Sequence, residues 1–213
     1  MHAHSLGQLP RIAVALLAAG VTSFLIAVVA SPQSVGAAGR QTNERYKLVR
    51  WDIARCDSAA CDALVVGGHA RWRSESGARI KFTGTGQAEP REERAAGGGL
   101  WTRKSASGRI IGRGTYTVVA FISWNGLGGT LGNVADAIGN RNEVRSGVLK
   151  LRIRLFAHSH ERGRGRLVIA SDAGGGSVGA ESHLVLRTAN GRRIKYFERG
   201  RVIFGQTLLH RIR

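Results

Sequence analysis

Between Ser146 and Leu167 the chain reads SGVLKLRIRLFAHSHERGRGRL, and its first half alternates without a break. Leu149, Leu151, Ile153 and Leu155 take every second position; Lys150, Arg152, Arg154 and Phe156 take the others. A period of two sends the two sets to opposite faces of an extended strand, whereas a helix would scatter the apolar set around its axis. One face is fit for a core. The other carries three cations roughly 7 Å apart, so the strand belongs to an antiparallel sheet with one wet face.

The same grammar, punctuated by glycine, predicts strands over 46–53, 69–74, 79–84, 99–104, 110–124, 148–158, 166–171, 182–188, 192–199 and 202–209. Ser76-Gly77 and Asn190-Gly191 read as hairpin turns, the second being the strongest short-range hairpin signal in the chain. Gly112 and Gly114 inside a long run predict a bulge or sharp bend. The one helical expectation after the leader is a single turn over VADAI, capped by Asn133 and closed by Gly139. About eight to ten short strands with short connections make the chain all-β, as an antiparallel β-barrel or a two-sheet β-sandwich. No fixed-period repeat points to a propeller or β-helix.

An N-terminal apolar helix precedes this domain. Ile12 to Ala30 carries no charge, follows Arg11, and leads through Pro32 to Val35-Gly36-Ala37, which has the small-residue layout of a signal-peptide cleavage site. At about 19 residues the segment is also long enough to remain as a membrane anchor. Residues 1–37 are thus a signal peptide or an uncleaved anchor, and 38–213 a single secreted β domain. Export frames the two cysteines, Cys56 and Cys61, as a disulfide closing a small loop, because their spacing does not suit a zinc knuckle.

The net charge of +18 sets the class of partner. A surfeit of that size attracts polyanions. Lys150, Arg152 and Arg154 share one strand face; Arg193 and Lys195 share a face of another, in GRRIKY. Stacked on adjacent strands these five would form a cationic face suited to phosphate or sulfate. The segment HSHERGRGR reads as a flexible, glycine-spaced loop that extends the face with Arg162, Arg164 and Arg166. The alternative is an ordinary solvated sheet face whose cations alternate with acids on neighbouring strands. His158 and His160 are weak metal candidates, since residues at i and i+2 of a strand point the same way; a third ligand would have to come from His69, His183, His210 or an acid.

No catalytic residues emerge. There is no nucleophile-elbow motif, GGGSVGA lacks the lysine and helix of a phosphate-binding loop, and Glu89, Glu92 and Glu93 read as solvated loop acids. Trp51, Trp72, Trp101, Tyr116, Phe121 and Trp124 fall in predicted strands as packing residues, one or two of which could line a ligand cup. The resulting expectation is an exported, non-catalytic protein of the secreted fraction or cell envelope. It needs no cofactor and associates through a basic face with anionic polymers or a membrane surface, without specific nucleic-acid recognition. A small-ligand-binding barrel and a β-barrel isomerase or hydrolase are the alternatives.

Overall fold

The computed structural model describes residues 48–172, 182–197 and 206–212. The expected leader helix, 1–37, lies outside the described residues. The strands run in chain order as β1 (Leu48–Cys56), β2 (Ala63–Val65), β3 (Ala70–Ser74), β4 (Arg79–Phe82), β5 (Thr85–Glu89), β6 (Arg94–Lys104), β7 (Ile110–Gly128) and β8 (Ala135–Asp136). After these come β9 (Ser146–Ala157), β10 (His160–Ser171), β11 (His183–Thr188), β12 (Arg193–Phe197) and β13 (Gln206–Ile212).

Of the two architectures left open by the sequence, the barrel is the one formed. Strands pair in the order β4-β3-β12-β11-β10-β9-β7-β6, and β4 pairs with β6 to close an eight-stranded antiparallel ring. The first half of β6 leaves the ring to pair with β5, which carries β1 and then β13 beside it. A small lobe completes the unit. Here β1 also pairs β2, which takes β8 in parallel, and the Cys56–Cys61 disulfide closes the β1–β2 loop.

The alternation predicted for β9 is present residue for residue. Leu149, Leu151, Ile153 and Leu155 are buried inside the ring, while Arg152 and Arg154 are exposed and Lys150 half-buried. They meet Leu167, Leu184, Tyr196, Trp72, Ile80, Phe82, Trp101 and Tyr116 in one apolar interior, which Val49, Trp51 and Leu209 of the outlying strands also join. Phe82 stands edge-on to Trp72 with ring centroids 5.6 Å apart and touches Tyr116 at 4.6 Å, so three aromatics from three strands interlock.

Three sequence expectations need correction. HSHERGRGR is no loop: His160–Arg166 are the first half of β10, and glycines 163 and 165 sit where strands press together. A Cβ on Gly163 would lie 2.7 Å from the Arg187 carbonyl oxygen. The glutamate-rich segment before GGGLWT is likewise a hairpin of β5 and β6, with only Pro90–Glu93 turning between them. There the glycines make room for Trp51: side chains on Gly86 and Gly97 would come within 2.8 and 3.0 Å of its ring. Finally, VADAI does not coil. Ala135–Asp136 is drawn into β8 by pairing with β2, and the local helical turn is a 3-10 segment at Arg141–Glu143, capped by the Asn140 side chain.

Antiparallel pairing gathers the tight connections of the ring. The β3–β4, β6–β7, β9–β10 and β11–β12 hairpins all turn at one end of the barrel. Three carry a glycine at positive φ, Gly77, Gly108 and Gly191; the fourth does not. In the β9–β10 hairpin Ala157 faces His160, and the two residues between, His158 and Ser159, hold φ of 51° and 65°. Both positions ask for the left-handed region that Asn-Gly supplies most cheaply, at a cost of about 1 kcal/mol or more for an ordinary side chain. Replacing the pair by Asn-Gly should raise unfolding free energy in a denaturant titration by about 1–2 kcal/mol. No gain would mean the turn is unstrained.

Candidate anion-binding surface

On the outer wall of the ring, strand register converts scattered arginines into rows. Arg154 of β9 faces Arg164 of β10; Arg164 faces Arg187 of β11; Arg187 faces Arg193 of β12. All four are exposed. Directly opposed side chains on neighbouring strands have Cβ atoms about 5 Å apart, so four guanidiniums cross four strands in a line about 14 Å long. One register step away, Arg152 faces Arg166, Val185 replaces the third cation, and Lys195 follows.

The expected cations share the outer wall, but the adjacency expected of their two strands is not observed. β9 and β12 are separated by β10 and β11, and Arg164, Arg166 and Arg187 bridge the gap. Lys150 lies at one end of this surface opposite Val168. Arg162 occupies the irregularity between Glu161 and Gly163 in β10 and points to the hairpin end rather than into the row.

The cations continue on β3, β4 and β6, which the expected face did not include. Arg71 faces Lys81 and Arg73 faces Arg79 across β3 and β4, and Arg79 faces Lys104 of β6. Arg71, Arg73, Arg79, Lys81 and Lys104 line an open groove of about 820 Å³ with Thr102 and Ile110. Their signal is present in the sequence: ARWRS and RIKF carry the same cation–apolar alternation as β9.

A merely solvated face would require acids interleaved among these cations. Glu161 is the single acid in the eight ring strands. It pairs with Arg164 at 2.5 Å and approaches Arg154 to 4.0 Å, and the Arg164 guanidinium holds its carboxyl below the ordinary glutamate range. The other described acids belong to hairpin turns, to the chain beyond β10 and to the β1–β2–β5–β8 lobe, where arginines such as Arg50 and Arg94 accompany them. The field of the wall is felt at His69: burial, then the charges of Arg71 and Lys81, push its pKa below 6.5. A polyanion lying across β3 and β4 should reverse the last two effects. In an NMR titration, His69 should protonate at higher pH with such a polymer bound than without it; an unmoved midpoint would exclude that groove from the contact.

The histidine pair does not have strand geometry. His158 is a turn residue at positive φ and His160 begins the next strand, so the i, i+2 alignment expected of them is absent. Among the described residues no group of three His, Cys, Asp or Glu side chains is arranged to hold a metal ion.

A different histidine lies in a cluster that no motif announced. His210 of β13 is 1% exposed and its Nε2 lies 2.7 Å from Asp136 Oδ2. Nδ1 is 3.9 Å from Asp52 Oδ2, which the Arg50 guanidinium contacts at 2.8 Å. Thr85 Oγ1 donates to Asp52 Oδ1 at 2.6 Å, and Asp136 Oδ1 accepts the backbone N–H groups of Ile138 and Gly139. Burial raises the Asp136 pKa, but the hydrogen bonds from His210, Ile138 and Gly139 outweigh it and leave the carboxyl below its ordinary 3.8. Carboxylate–histidine–carboxylate sets can serve catalysis, yet Asp52, His210 and Asp136 are sealed from solvent and tie β1, β8 and β13 together. Comparisons with family profiles, curated proteins and solved structures find no match to this chain.

Proposed function

We propose that the chain is an exported, non-catalytic β-barrel protein that associates with anionic polymers, or with the anionic surface of a membrane or wall, through the outside of its barrel. The observation that carries this reading is the line Arg154–Arg164–Arg187–Arg193, four exposed guanidiniums on four neighbouring strands with one carboxylate among them. Guanidiniums offer forked donors that match phosphate, sulfate and carboxylate oxygens. Lining them up costs mutual repulsion in the free protein, and a polyanion relieves it. Because side chains on a sheet wall meet a backbone rather than enter a groove, recognition is of charge spacing and not of base or sugar identity.

Export is supported by two further features. Residues 1–37 have the layout of a signal peptide or anchor, and the Cys56–Cys61 disulfide is of a kind that persists in oxidising compartments. The test is binding of the full chain to a single-stranded homopolymeric oligonucleotide, used as a phosphate-rich probe, across a salt series. The affinity should fall linearly in log-log form and be the same for two homopolymers of different base. A base-dependent affinity, or one indifferent to salt, would refute the reading.

A further inference from the structure

The hairpin end of the barrel is open, and its lining differs from that of the outer wall. Ile80, Trp101, Leu155 and Leu186 form an apolar floor there, and Arg103, Arg113, Arg162 and Arg187 stand around it, enclosing about 400 Å³. Gly112, Ala157 and Gly163 border it as small residues, and a Cβ on Gly112 would meet the Trp101 ring at 3.0 Å. Below it Leu151 and Ile153 are fully buried, so the cavity is a cup and not a channel. Trp101 is fixed as one wall, since its Nε1 donates to the carbonyls of Thr115 and Phe156 at 2.9 and 3.2 Å.

Arg103 gives the cup its chemistry. It faces Ile80 across β4 and β6, and Ile80 points into the ring, so Arg103 points inward as well. Its Nε is buried with no hydrogen-bond partner, and among the described residues no acid lies within ion-pair reach of it. Beside it lies the fully buried Tyr196 hydroxyl, which has no hydrogen bond of good geometry; burial pushes that phenol's pKa up, while the adjacent Arg103 guanidinium, by its charge and by hydrogen bonding, and then Arg192 pull it the other way. An inward guanidinium without a counter-charge is costly, and native proteins seldom leave such groups unsatisfied. Arg113, Arg162 and Arg187 have no acid partner among the described residues either.

We propose that this cup binds one small amphiphilic carboxylate, with its head on Arg103 and the rim arginines and its apolar body against Trp101, Leu155 and Leu186. The volume lies in the usual range for small-molecule sites, and an apolar wall with a few convergent polar groups is their usual make-up. A carboxylate matches the guanidinium fork and supplies the acceptor that Arg103 lacks. The closed floor limits the apolar body to a medium-length chain or a single ring system. This site is separate from polymer binding by the outer wall, although Arg187 borders both.

Calorimetric titration of the full chain with decanoate tests the assignment. One site is expected, with decanol binding at least tenfold more weakly because it has no charge for Arg103. Arg103→Met should lose at least tenfold for decanoate. Ala157→Phe, which fills the cup without altering charge, should abolish binding and carries the test should Arg103→Met fail to fold. Both variants should keep the wild-type affinity for the oligonucleotide probe, so the two readings fail separately. Equal binding of decanol and decanoate, or unchanged decanoate affinity in either variant, would overturn the proposal.

Discussion

Asp136→Ala should cost the protein about 3 kcal/mol of unfolding free energy, the largest loss expected from a single polar substitution here. The carboxylate it removes is enclosed, bonded to His210 through one oxygen and to two backbone N–H groups through the other. Its loss leaves the buried His210 ring without its carboxylate and frees the half-buried Ile138 N–H and the exposed Gly139 N–H, and an orphaned buried group is penalised more heavily than the bond itself is rewarded. Asp136→Asn keeps the acceptor for Ile138 and Gly139 and should lose roughly half as much. Denaturant titrations of the three proteins settle it; an Asp136→Ala variant within about 0.5 kcal/mol of wild type would show the cluster to be dispensable.

The sign of the pH effect comes from the lowered Asp136 pKa. A carboxyl more acidic in the folded state than its ordinary 3.8 contributes stability that is fully present above that value. It is lost as pH falls through the lower, folded value. Wild type should therefore weaken more steeply below pH 3.8 than Asp136→Asn, which has no proton to take up at that position.

The second large effect concerns the arginine line. For single strands, each neutralised phosphate contributes about −0.7 to the slope of log affinity against log salt. Changing Arg154, Arg164, Arg187 and Arg193 to Ser together should flatten that slope by nearly three and weaken binding at low salt by about a hundredfold or more. The substitutions are exposed and leave the inward residues of the four strands untouched, so folding should survive; Glu161 then keeps no arginine from the line. A variant whose slope matches wild type would mean the charge acts diffusely and the alignment is incidental.

The outer wall and the inner wall of the barrel are legible in the sequence to different degrees. On β9 the period of two holds from Leu149 to Phe156, and every face it predicts there is the observed one, whereas residues 146–149 are all buried. On β10 the same period exists in Arg162, Arg164 and Arg166, but glycines occupy the alternate positions. Glycine in a strand usually signals a break; here it marks close contact with the β11 backbone, a property only pairing reveals. Register is the other missing quantity. Arg193 and Lys195 do share a face, yet nothing local says that two strands, one bearing Arg187, stand between them and β9. Arg103 is hidden for the opposite reason, since a cation in WTRK reads as outward unless its partner Ile80 is known to face in. The His210–Asp136–Asp52 cluster joins residues from three distant segments, and no spacing rule reaches that far.

Closure of the ring bears on how the protein would meet a polymer. A flat sheet would offer all its cations to one partner. Bent into a cylinder, the same charges look in divergent directions: the line on β9–β12 already crosses four of the eight ring strands, and the cations of β3 and β4 follow directly after β12 around the barrel. A straight stretched chain would engage only part of that arc at a time. If the proposed polyanion binding holds, a barrel with cations around its wall could touch more than one anionic chain where such chains are dense, acting less as a coat on one than as a rivet between two.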